Sequence, residues 1–488
     1  MAGKSDKREE RQEGITVKKS ENFSEWYTQV VAKAELADYG PVQGTSAFMP
    51  NSYAIWERIQ EVFNKMIFET GHRNAYFPML IPESFLTKEK EHLEGFSPEV
   101  FWVTHSGDNK LGERLVIRPT SETMIYSFYS KWVRSWRDLP LLLNQWCNIL
   151  RAEIKSTKPF IRGSEFLWQE GHTVHATKEE ADKEVMMILE FYRKLSEDYL
   201  AVPLLVGKKS ESEKFAGALY TTTIEAMMPD GKAVQAGTSH NLGQNFSKPF
   251  DIKFLDKDSK LQYAWTTSWG IATRLIGALI MIHGDDRGAI IPPRIAPIKA
   301  VIVPIYKTGE EKEVLAKARE IKSALATAGI SVILDDRDDR TPGWKFNDHE
   351  MKGIPVRIEI GPRDVKEGKA VMVRRDTLEK KSVSMQAISA SVADLLEDIQ
   401  KNLFGKAKAA LDASITITDD YGQFRQTIEK KGGFVLSGWC GGQACEAKIK
   451  EETGATIRVI PFESKDVRQK CVYCGKKAEQ NAYFARAY

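Results

Sequence analysis

The sequence has no long apolar run and carries little net charge. No stretch approaches the ~18 consecutive apolar residues of a membrane-spanning helix, so we expect no membrane partner. Residues 1–8 have mixed charge, no apolar signal core and no glycine at position 2, which predicts a disordered tail and a cytoplasmic location. A net charge of +3 over 488 residues permits local basic patches, but it gives no reason to expect DNA as a partner.

Cysteine is also scarce, and its distribution is uneven. Four of the five cysteines lie in the last 49 residues, where Cys440 and Cys445 form one close pair and Cys471 and Cys474 form a second. This clustering favours a metal site over disulfide or redox use. Four thiolates suit tetrahedral Zn²⁺ in a structural role, because they leave no open coordination position. We expect the fifth, Cys147, to be buried in the sheet.

Internal repeats and long low-complexity segments are absent, so domain boundaries have to come from changes of pattern. A proline-rich joint at residues 291–297 is the clearest change, because amphipathic helices precede it and alternating strands and helices follow it. Four segments are predicted: a disordered tail over 1–21, a large first domain over 22–296, an α/β domain over 297–404 and a cysteine-bearing block over 405–488.

Hydrophobic periodicity predicts the main elements. The first domain should contain helices over 53–70 and 178–200, and a third that opens at the hydroxyl-rich residues 119–123. The second should contain four strands, two helices and a turn with basic and aromatic side chains. The strands are predicted at 300–304, 331–335, 355–360 and 370–374, the helices at 310–328 and 391–404, and the turn at 340–346.

The most informative stretch is a predicted hairpin. An apolar strand ends in Arg151-x-Glu153, a basic loop follows, and a second apolar strand carries Trp168, Glu170 and His172 at alternate positions. Side chains two apart in a strand share a face, so each of these two sets should point one way. Such a surface suits a nucleotide and a small zwitterion. The alternative is an amphipathic hairpin with a solvated charged face.

A second string leads into an apolar helix. Gly270 would let the backbone approach a ligand closely. Arg274, on the first helical turn, could stack on a base or reach a phosphate. Alone, this string is equally typical of a core helix with one surface arginine.

Together these strings resemble the motifs of class II aminoacyl-tRNA synthetases. The segment ending at residues 76–78 resembles motif 1, Arg151-x-Glu153 resembles motif 2, and residues 269–274 resemble motif 3. Three further strings, at 118–123, 166–172 and 283–288, are similar to those of prolyl-tRNA synthetases of the archaeal and eukaryotic type.

The resemblance implies an α+β fold. Its parts would be a class II catalytic domain with an antiparallel sheet flanked by helices, an α/β anticodon-binding domain and a small C-terminal zinc-binding domain. It also implies ATP-dependent activation of L-proline and transfer to tRNA(Pro), with Mg²⁺ in catalysis, Zn²⁺ in the structure and a homodimer formed through motif 1. Because related enzymes fold their terminal tyrosine toward the active site, Tyr488 is expected near it.

The resemblance also implies site residues. For proline they are Thr120, Glu122, Arg151, Trp168, Glu170, His172, His240 and Ser268. For ATP they are Arg151, Glu153, Arg162, Gln235, Thr238 and Arg274. For the anticodon they are Arg337, Arg340, Lys345 and Glu359. For zinc they are Cys440, Cys445, Cys471 and Cys474.

Particular roles follow from the resemblance. Glu122 would pair with the secondary ammonium of proline, Arg151 would hold the α-phosphate, and Arg274 would stack on the adenine. The alternatives are that Thr120 and Glu122 form a plain helix cap and that His172 is a structural histidine.

Two other functions stay open. One is a class IIa synthetase for another amino acid, such as threonine, although no cysteine that could serve its active-site zinc lies near the motifs. The other is a non-catalytic tRNA-binding paralogue, although such proteins usually lose a motif arginine.

The sequence departs from the family pattern at Ala272, where relatives often carry a hydroxyl residue. This departure argues against an ATP contact at that position.

Overall fold

The computed structural model describes residues 14–86, 99–154, 156–463 and 466–488. The predicted tail therefore lies mostly outside the described residues. The chain forms two compact units. One comprises the chain up to Asp38, Phe48–Ile55 and His283–Gln400, and the other comprises Tyr39–Ala47, Trp56–Ile282 and Lys401–Tyr488. Among the described residues, no helix has both the length and the apolar character needed to cross a bilayer.

A seven-stranded sheet, here called the central sheet, organises the second unit. Its neighbouring strands pair antiparallel, except for one short parallel pair at the edge. This confirms the antiparallel sheet that the sequence predicts. In spatial order the strands are Arg73–Asn74, Leu141–Leu150, Glu165–His175, Trp265–Ala272, Ala233–Gly243, Tyr220–Met227 and Leu205–Lys208.

Further helices and small sheets are formed by the chain up to His283. The predicted helices at 53–70 and 178–200 are confirmed, and a capping box between Thr177 and Glu180 fixes the start of the second. The helices are Pro50–Phe68, Glu122–Trp132, Lys178–Lys194 and Arg274–His283. The further strands are Ala37–Tyr39, Ser46–Phe48, Leu80–Pro82, Trp102–Ser106, Asn109–Ile117, Lys253–Leu255 and Leu261–Tyr263.

The C-terminal block belongs to the same unit as the central sheet. Ile460 of this block exchanges two backbone hydrogen bonds of 2.8 Å with Lys208, which lies on the last strand of the central sheet. Gly207 permits this approach, because a Cβ there would lie 2.2 Å from the Ile460 carbonyl oxygen. The strands of the block, in spatial order, are Ile415–Ile417, Phe434–Trp439, Gln480–Ala485 and Thr456–Val459, and its helices are Tyr421–Gln426 and Gln443–Thr453.

The first unit is built on a five-stranded mixed sheet, and its four predicted strands are confirmed. The additional strand, Lys380–Ser384, buries only Val383 and so has no apolar alternation to reveal it. The sheet order is Val332–Leu334, Ala300–Pro304, Val356–Ile360, Lys369–Arg374 and Lys380–Ser384. The helices are Phe23–Lys33, Glu311–Thr327, Pro342–Met351, Pro362–Glu367 and Ile388–Ser414, the last of which continues into the second unit.

Two predictions about helices in this region need correction. The turn at 340–346 is wrong, because Pro342–Met351 is a helix with Thr341 as N-cap and proline in its first turn. Both residues are ordinary helix-start signals. The helix predicted at 391–404 extends over Ile388–Ser414, so it passes without a break through the predicted boundary at 404.

Candidate active site

A cavity of about 280 Å³ opens on the central sheet, and most of the predicted site residues line it. All of the predicted proline-site residues do so, as do four of those predicted for ATP. The proline set is Thr120, Glu122, Arg151, Trp168, Glu170, His172, His240 and Ser268, and the ATP set is Arg151, Gln235, Thr238 and Arg274.

The hairpin provides one wall of this cavity. Glu165–His175 pairs antiparallel with Leu141–Leu150 on one side and with Trp265–Ala272 on the other. Trp168, Glu170 and His172 all reach the cavity. Their shared direction, predicted from the spacing of two, is confirmed.

Arg151 and Glu153 do not share a strand face, so the prediction from their spacing is wrong. The strand ends at Leu150, so both residues lie in the following loop rather than on a strand face. Arg151 is held there by its backbone N–H to Ser164 O, at 2.7 Å, and by Nε to Pro119 O, at 3.2 Å. Glu153 and Arg162 are exposed and do not line the cavity.

The Arg151 guanidinium lies against aromatic rings. Its centre is 5.5 Å from the Phe166 ring and 5.9 Å from the Trp168 ring, within cation–π range. Burial lowers the pKa of Arg151, while Glu153 and Glu122 act to raise it. The group stays cationic at neutral pH.

Arg274 begins the helix Arg274–His283 and contributes a second cation. Its Nε donates to Ile161 O at 3.1 Å, and Nη1 donates to Gln235 O at 3.3 Å. Burial, followed by the repulsion from Arg151, lowers the pKa of Arg274 to about 10, which leaves it charged at neutral pH. The cavity therefore has two arginines, suited to a polyanionic ligand.

Glu170 is a buried carboxylate held by several donors. Its Oε1 accepts from Ser121 Oγ at 2.5 Å and from Gln145 Nε2 at 2.8 Å, and its Oε2 lies 2.9 Å from His172 Nε2. Burial acts to raise the pKa of Glu170, but these hydrogen bonds and the charge of His172 lower it overall. Burial also acts to lower the pKa of His172, but the Glu170 hydrogen bond raises it overall. Both pKa shifts favour an ion pair between the Glu170 carboxylate and a protonated His172.

Trp168 is oriented by a hydrogen bond to Cys147. Its indole N–H donates to Cys147 Sγ at 3.2 Å, and the thiol reaches Glu170 Oε1 at 3.4 Å. Cys147 lies in the sheet, on the strand Leu141–Leu150, as expected, but the residue is half-buried rather than buried. Burial raises the pKa of this thiol, so it is neutral.

Thr120 and Glu122 do not form a helix cap. The Thr120 hydroxyl donates to the Glu122 carboxylate. The N-cap residue is Ser121, which makes no side-chain cap bond and donates to Glu170 instead. Glu122 is only 4% exposed, and its carboxylate is oriented by Thr120 at the cavity wall.

His240 and Ser268 lie on adjacent strands and face each other across the ladder. His240 Nδ1 lies 2.9 Å from Thr221 Oγ1, and its ring centroid is 4.9 Å from that of Phe215. Burial, followed by repulsion from His172, lowers the pKa of His240 to about 3, so its imidazole is neutral. Ser268 Oγ is buried without a hydrogen-bond partner, which leaves it available to a ligand.

Several residues in or beside the cavity were not predicted from the sequence. Gln145 lies opposite Glu170 in the ladder, and the hairpin register could have revealed it. Glu213, Lys214 and Phe215 line the cavity from a turn-rich segment without any motif. No pattern in the sequence connects that segment to the hairpin.

The anticodon candidates differ in accessibility. Arg337 and Arg340 lie 5.2 and 5.0 Å from the Trp344 ring, and both are exposed. Lys345 is 3% exposed, and its Nζ donates to Asp335 O at 3.1 Å. Glu359 is also buried and accepts hydrogen bonds from two basic side chains, those of Arg357 and Lys380.

The four C-terminal cysteines converge. Their sulfur atoms all lie within 4.8 Å of one another. Cys440 Sγ is 3.6 Å from Cys445 Sγ and 3.8 Å from Cys474 Sγ, too far for disulfides. This cluster could hold a metal ion.

Tyr488 lies beside the loop that follows Arg151. Its hydroxyl donates to Asp230 at 2.5 Å, and its ring centroid is 5.6 Å from Lys158 Nζ and 4.9 Å from Lys232 Nζ. It is not one of the residues that line the cavity.

Three family models match successive parts of the chain. They are described as "tRNA synthetase class II core domain (G, H, P, S and T)" over 101–283, "Anticodon binding domain" over 299–395, and "Prolyl-tRNA synthetase, C-terminal" over 421–488.

Whole-chain relatives match as well. The proline–tRNA ligase of Cenarchaeum symbiosum is 56% identical over 476 residues, covering 97% of this chain and 99% of the relative. That of Symbiobacterium thermophilum is also 56% identical, covering 96% and 97%. A solved structure of prolyl-tRNA synthetase from Cryptosporidium parvum, complexed with halofuginone and AMPPNP, is 44% identical, with a TM-score of 0.94. The match covers 98% of this chain and 100% of that one.

Proposed function

Because the chain belongs to the proline–tRNA ligases of the class II aminoacyl-tRNA synthetases, we propose that its cavity activates L-proline with ATP and transfers the prolyl group to the 3′ end of tRNA(Pro). The observation that carries this proposal is the placement of two carboxylates, Glu122 and Glu170, in one cavity with two arginines, Arg151 and Arg274. Carboxylates suit the ammonium of an amino acid, and arginines suit phosphates.

At the proline end, Glu122 would accept the secondary ammonium, and Thr120 fixes the direction of its carboxylate. Trp168 offers a flat wall to the apolar ring, and its indole is held by Cys147. Ser268, with its unpartnered hydroxyl, and the neutral His240 complete the shell. A charged His240 would repel the ammonium, so its lowered pKa fits this role.

At the ATP end, Arg151 would hold the α-phosphate and the proline carboxylate, and Arg274 would stack on the adenine. Gln235 and Thr238 line the same part of the cavity wall. Glu153 and Arg162 do not line the cavity, but their charges act on Arg151 and Arg274, respectively, so they lie near enough to the ATP end to take part in binding.

The chemistry needs no covalent enzyme intermediate. The proline carboxylate attacks the α-phosphorus, pyrophosphate leaves, and the growing charge on the phosphate oxygens is stabilised by Arg151. A terminal ribose hydroxyl of tRNA then attacks the prolyl carbonyl and releases AMP. Mg²⁺ would arrive on the phosphates of ATP, its usual ligands. Among the described residues, the cysteines are the only cluster of three or more metal-ligating side chains.

The cysteine cluster fits Zn²⁺ in a structural role. Tetrahedral Zn–S bonds of about 2.3 Å place sulfurs about 3.8 Å apart, close to the 3.6 and 3.8 Å of the two measured pairs. Cys440, Cys445, Cys471 and Cys474 would be the four ligands. No step of the reaction requires this ion.

Assembly and location are further parts of the proposal. A homodimer through motif 1 and a cytoplasmic location are what the family implies. For tRNA, Arg340 offers an exposed guanidinium beside Trp344, which suits unpaired bases, whereas Arg337 is paired with Asp335 and Asp348. Lys345 and Glu359 are buried in ion pairs and would first have to leave them.

Proline-dependent ATP–pyrophosphate exchange tests the proposal. We expect exchange with proline, much weaker exchange with alanine, and none with threonine. Exchange with threonine instead would indicate another class IIa synthetase. No exchange with any amino acid, together with tRNA binding, would indicate a non-catalytic paralogue.

A further inference from the structure

A buried charge cluster joins the C-terminal block to the central sheet. Glu225, on the strand Tyr220–Met227, is fully buried, and Arg458, on the strand Thr456–Val459, is 7% exposed. Arg458 Nε and Nη2 lie 3.0–3.1 Å from the two carboxylate oxygens of Glu225, as a bidentate pair. Lys209 Nζ donates to the same carboxylate at 2.6 Å.

This cluster lies on a strand that borders the cavity, since Thr221 on the same strand lines it. Glu225 faces Gln235 directly in the antiparallel ladder, beside an irregularity in the register. The Gln235 carbonyl accepts the hydrogen bond from Arg274 Nη1. A shift of Glu225 would therefore move Gln235, and with it the acceptor that orients Arg274.

Arg458 also contacts the cavity wall by a second route. Its Nη1 lies 3.7 Å from Glu213 Oε2, and Lys450 Nζ lies 3.6 Å from Glu213 Oε1. Glu213 and the next two residues, Lys214 and Phe215, line the cavity. Two cations of the C-terminal block, Arg458 and Lys450, thus lie within ion-pair distance of this turn-rich segment of the cavity wall.

We propose that Arg458 is a positioning residue for the nucleotide end of the cavity, so that the C-terminal block helps to form the ATP site. Stability alone does not explain the cluster, because a buried ion pair can often be replaced by apolar residues at no cost. Its geometry fixes the register of Gln235 and the place of Glu213. The inference rests on the proposed function and adds a specific role for the block.

The test compares Arg458→Met with a matched control, Arg468→Met, in the full chain. Arg468 lies in the same block but pairs with Asp419, close to the surface. For Arg458→Met we expect the KM for ATP in proline-dependent exchange to rise about tenfold, with the KM for proline and kcat changed less than twofold. Arg458→Lys, which keeps the charge but loses the bidentate geometry, should recover part of this loss. The control should match the wild type, and all variants should contain the same amount of metal.

Several results would overturn the inference. They are an unchanged KM for ATP in folded Arg458→Met, equal losses for Arg458→Met and Arg468→Met, or equal rises in the KM for ATP and for proline. If Arg458→Met fails to fold, Arg458→Lys decides, because it keeps the charge but loses the bidentate geometry and should raise the KM for ATP. An unchanged value there would also reject the inference. Absence of exchange in the wild type would reject the proposed function itself.

Discussion

Glu170 illustrates how a buried carboxylate stays charged at the wall of a ligand cavity. It accepts hydrogen bonds from Ser121 and Gln145 and pairs with His172. Ser121 is the N-cap residue of the helix Glu122–Trp132, Gln145 lies opposite Glu170 on the neighbouring strand, and His172 lies on the same strand as Glu170. Burying a lone carboxylate would be costly, but several hydrogen bonds offset that cost. At the scale of the residue, the site is therefore preorganised before any ligand arrives.

Replacement of Arg151 tests its assigned role. Arg151→Ala should reduce proline-dependent exchange by about 3 kcal/mol or more in transition-state free energy, while the thermal midpoint stays within a few degrees. The reason is that Arg151 faces the cavity rather than the hydrophobic core. Arg58→Ala, which removes a half-buried arginine paired with Glu61, is the control and should retain wild-type exchange. Near-normal exchange by Arg151→Ala would reject the motif 2 assignment.

Glu122 can be tested through the ratio of two Michaelis constants. Glu122→Gln keeps the size of the side chain but removes the charge that faces the proline ammonium. We expect the KM for proline to rise by about tenfold or more, the value for a charge-assisted hydrogen bond of 1.5–3 kcal/mol, with little change for ATP. Steady-state exchange at varied proline and varied ATP measures both. Equal rises would mean that Glu122 supports the fold of the cavity rather than proline binding.

The pair of His172 and Glu170 predicts a pH dependence of stability. The pKa of His172 is raised in the folded protein, so its stabilisation is full below the unfolded value of about 6.5 and is lost as the pH rises through the folded pKa. The thermal midpoint of the wild type should therefore fall relative to that of His172→Gln as the pH is raised above 6.5. Parallel midpoints from pH 6 to 9 would show that the pair carries no such charge.

At the scale of elements, periodicity predicted much of the fold. Helices at Pro50–Phe68 and Lys178–Lys194 followed from their apolar spacing. The strand Lys380–Ser384 could not be predicted, since lysine and serine fill its exposed positions. The site divides in the same way. Trp168 and His172 share a strand and a period of two, whereas Glu213 reaches the cavity only through tertiary packing.

The cluster of four C-terminal cysteines predicts that the protein binds zinc. Purified protein should contain one zinc per chain, and Cys471→Ser should abolish stoichiometric binding and destabilise the C-terminal block. Elemental analysis and the thermal midpoint measure both effects. Cys147→Ser, which alters a thiol far along the sequence in the strand Leu141–Leu150, is the control and should keep its zinc. Wild-type protein with no metal and four titratable thiols would contradict the assignment.

At the scale of the whole molecule, the exchange reaction and tRNA charging should separate. Arg340 lies in the first unit, whereas the cavity is built entirely from the second. Arg340→Ala should therefore lower tRNA(Pro) charging severalfold, through the loss of a cation beside Trp344, and leave pyrophosphate exchange unchanged. Arg363→Ala, another exposed arginine in that unit, is the control. Equal losses in both reactions, with the fold intact, would reject this surface as the site that reads the anticodon.

The contact between Gly207 and Ile460 has a further consequence, for colloidal behaviour. Leu205–Lys208 is the last strand of the central sheet, and the hydrogen bonds between Lys208 and Ile460 cover part of its outer side. An uncovered strand at such a position is a template on which another chain can pair, which leads to aggregation. The C-terminal block thus covers part of a sheet edge against pairing with another chain. A larger side chain at Gly207 would displace the block from that edge, since it would clash with the Ile460 carbonyl.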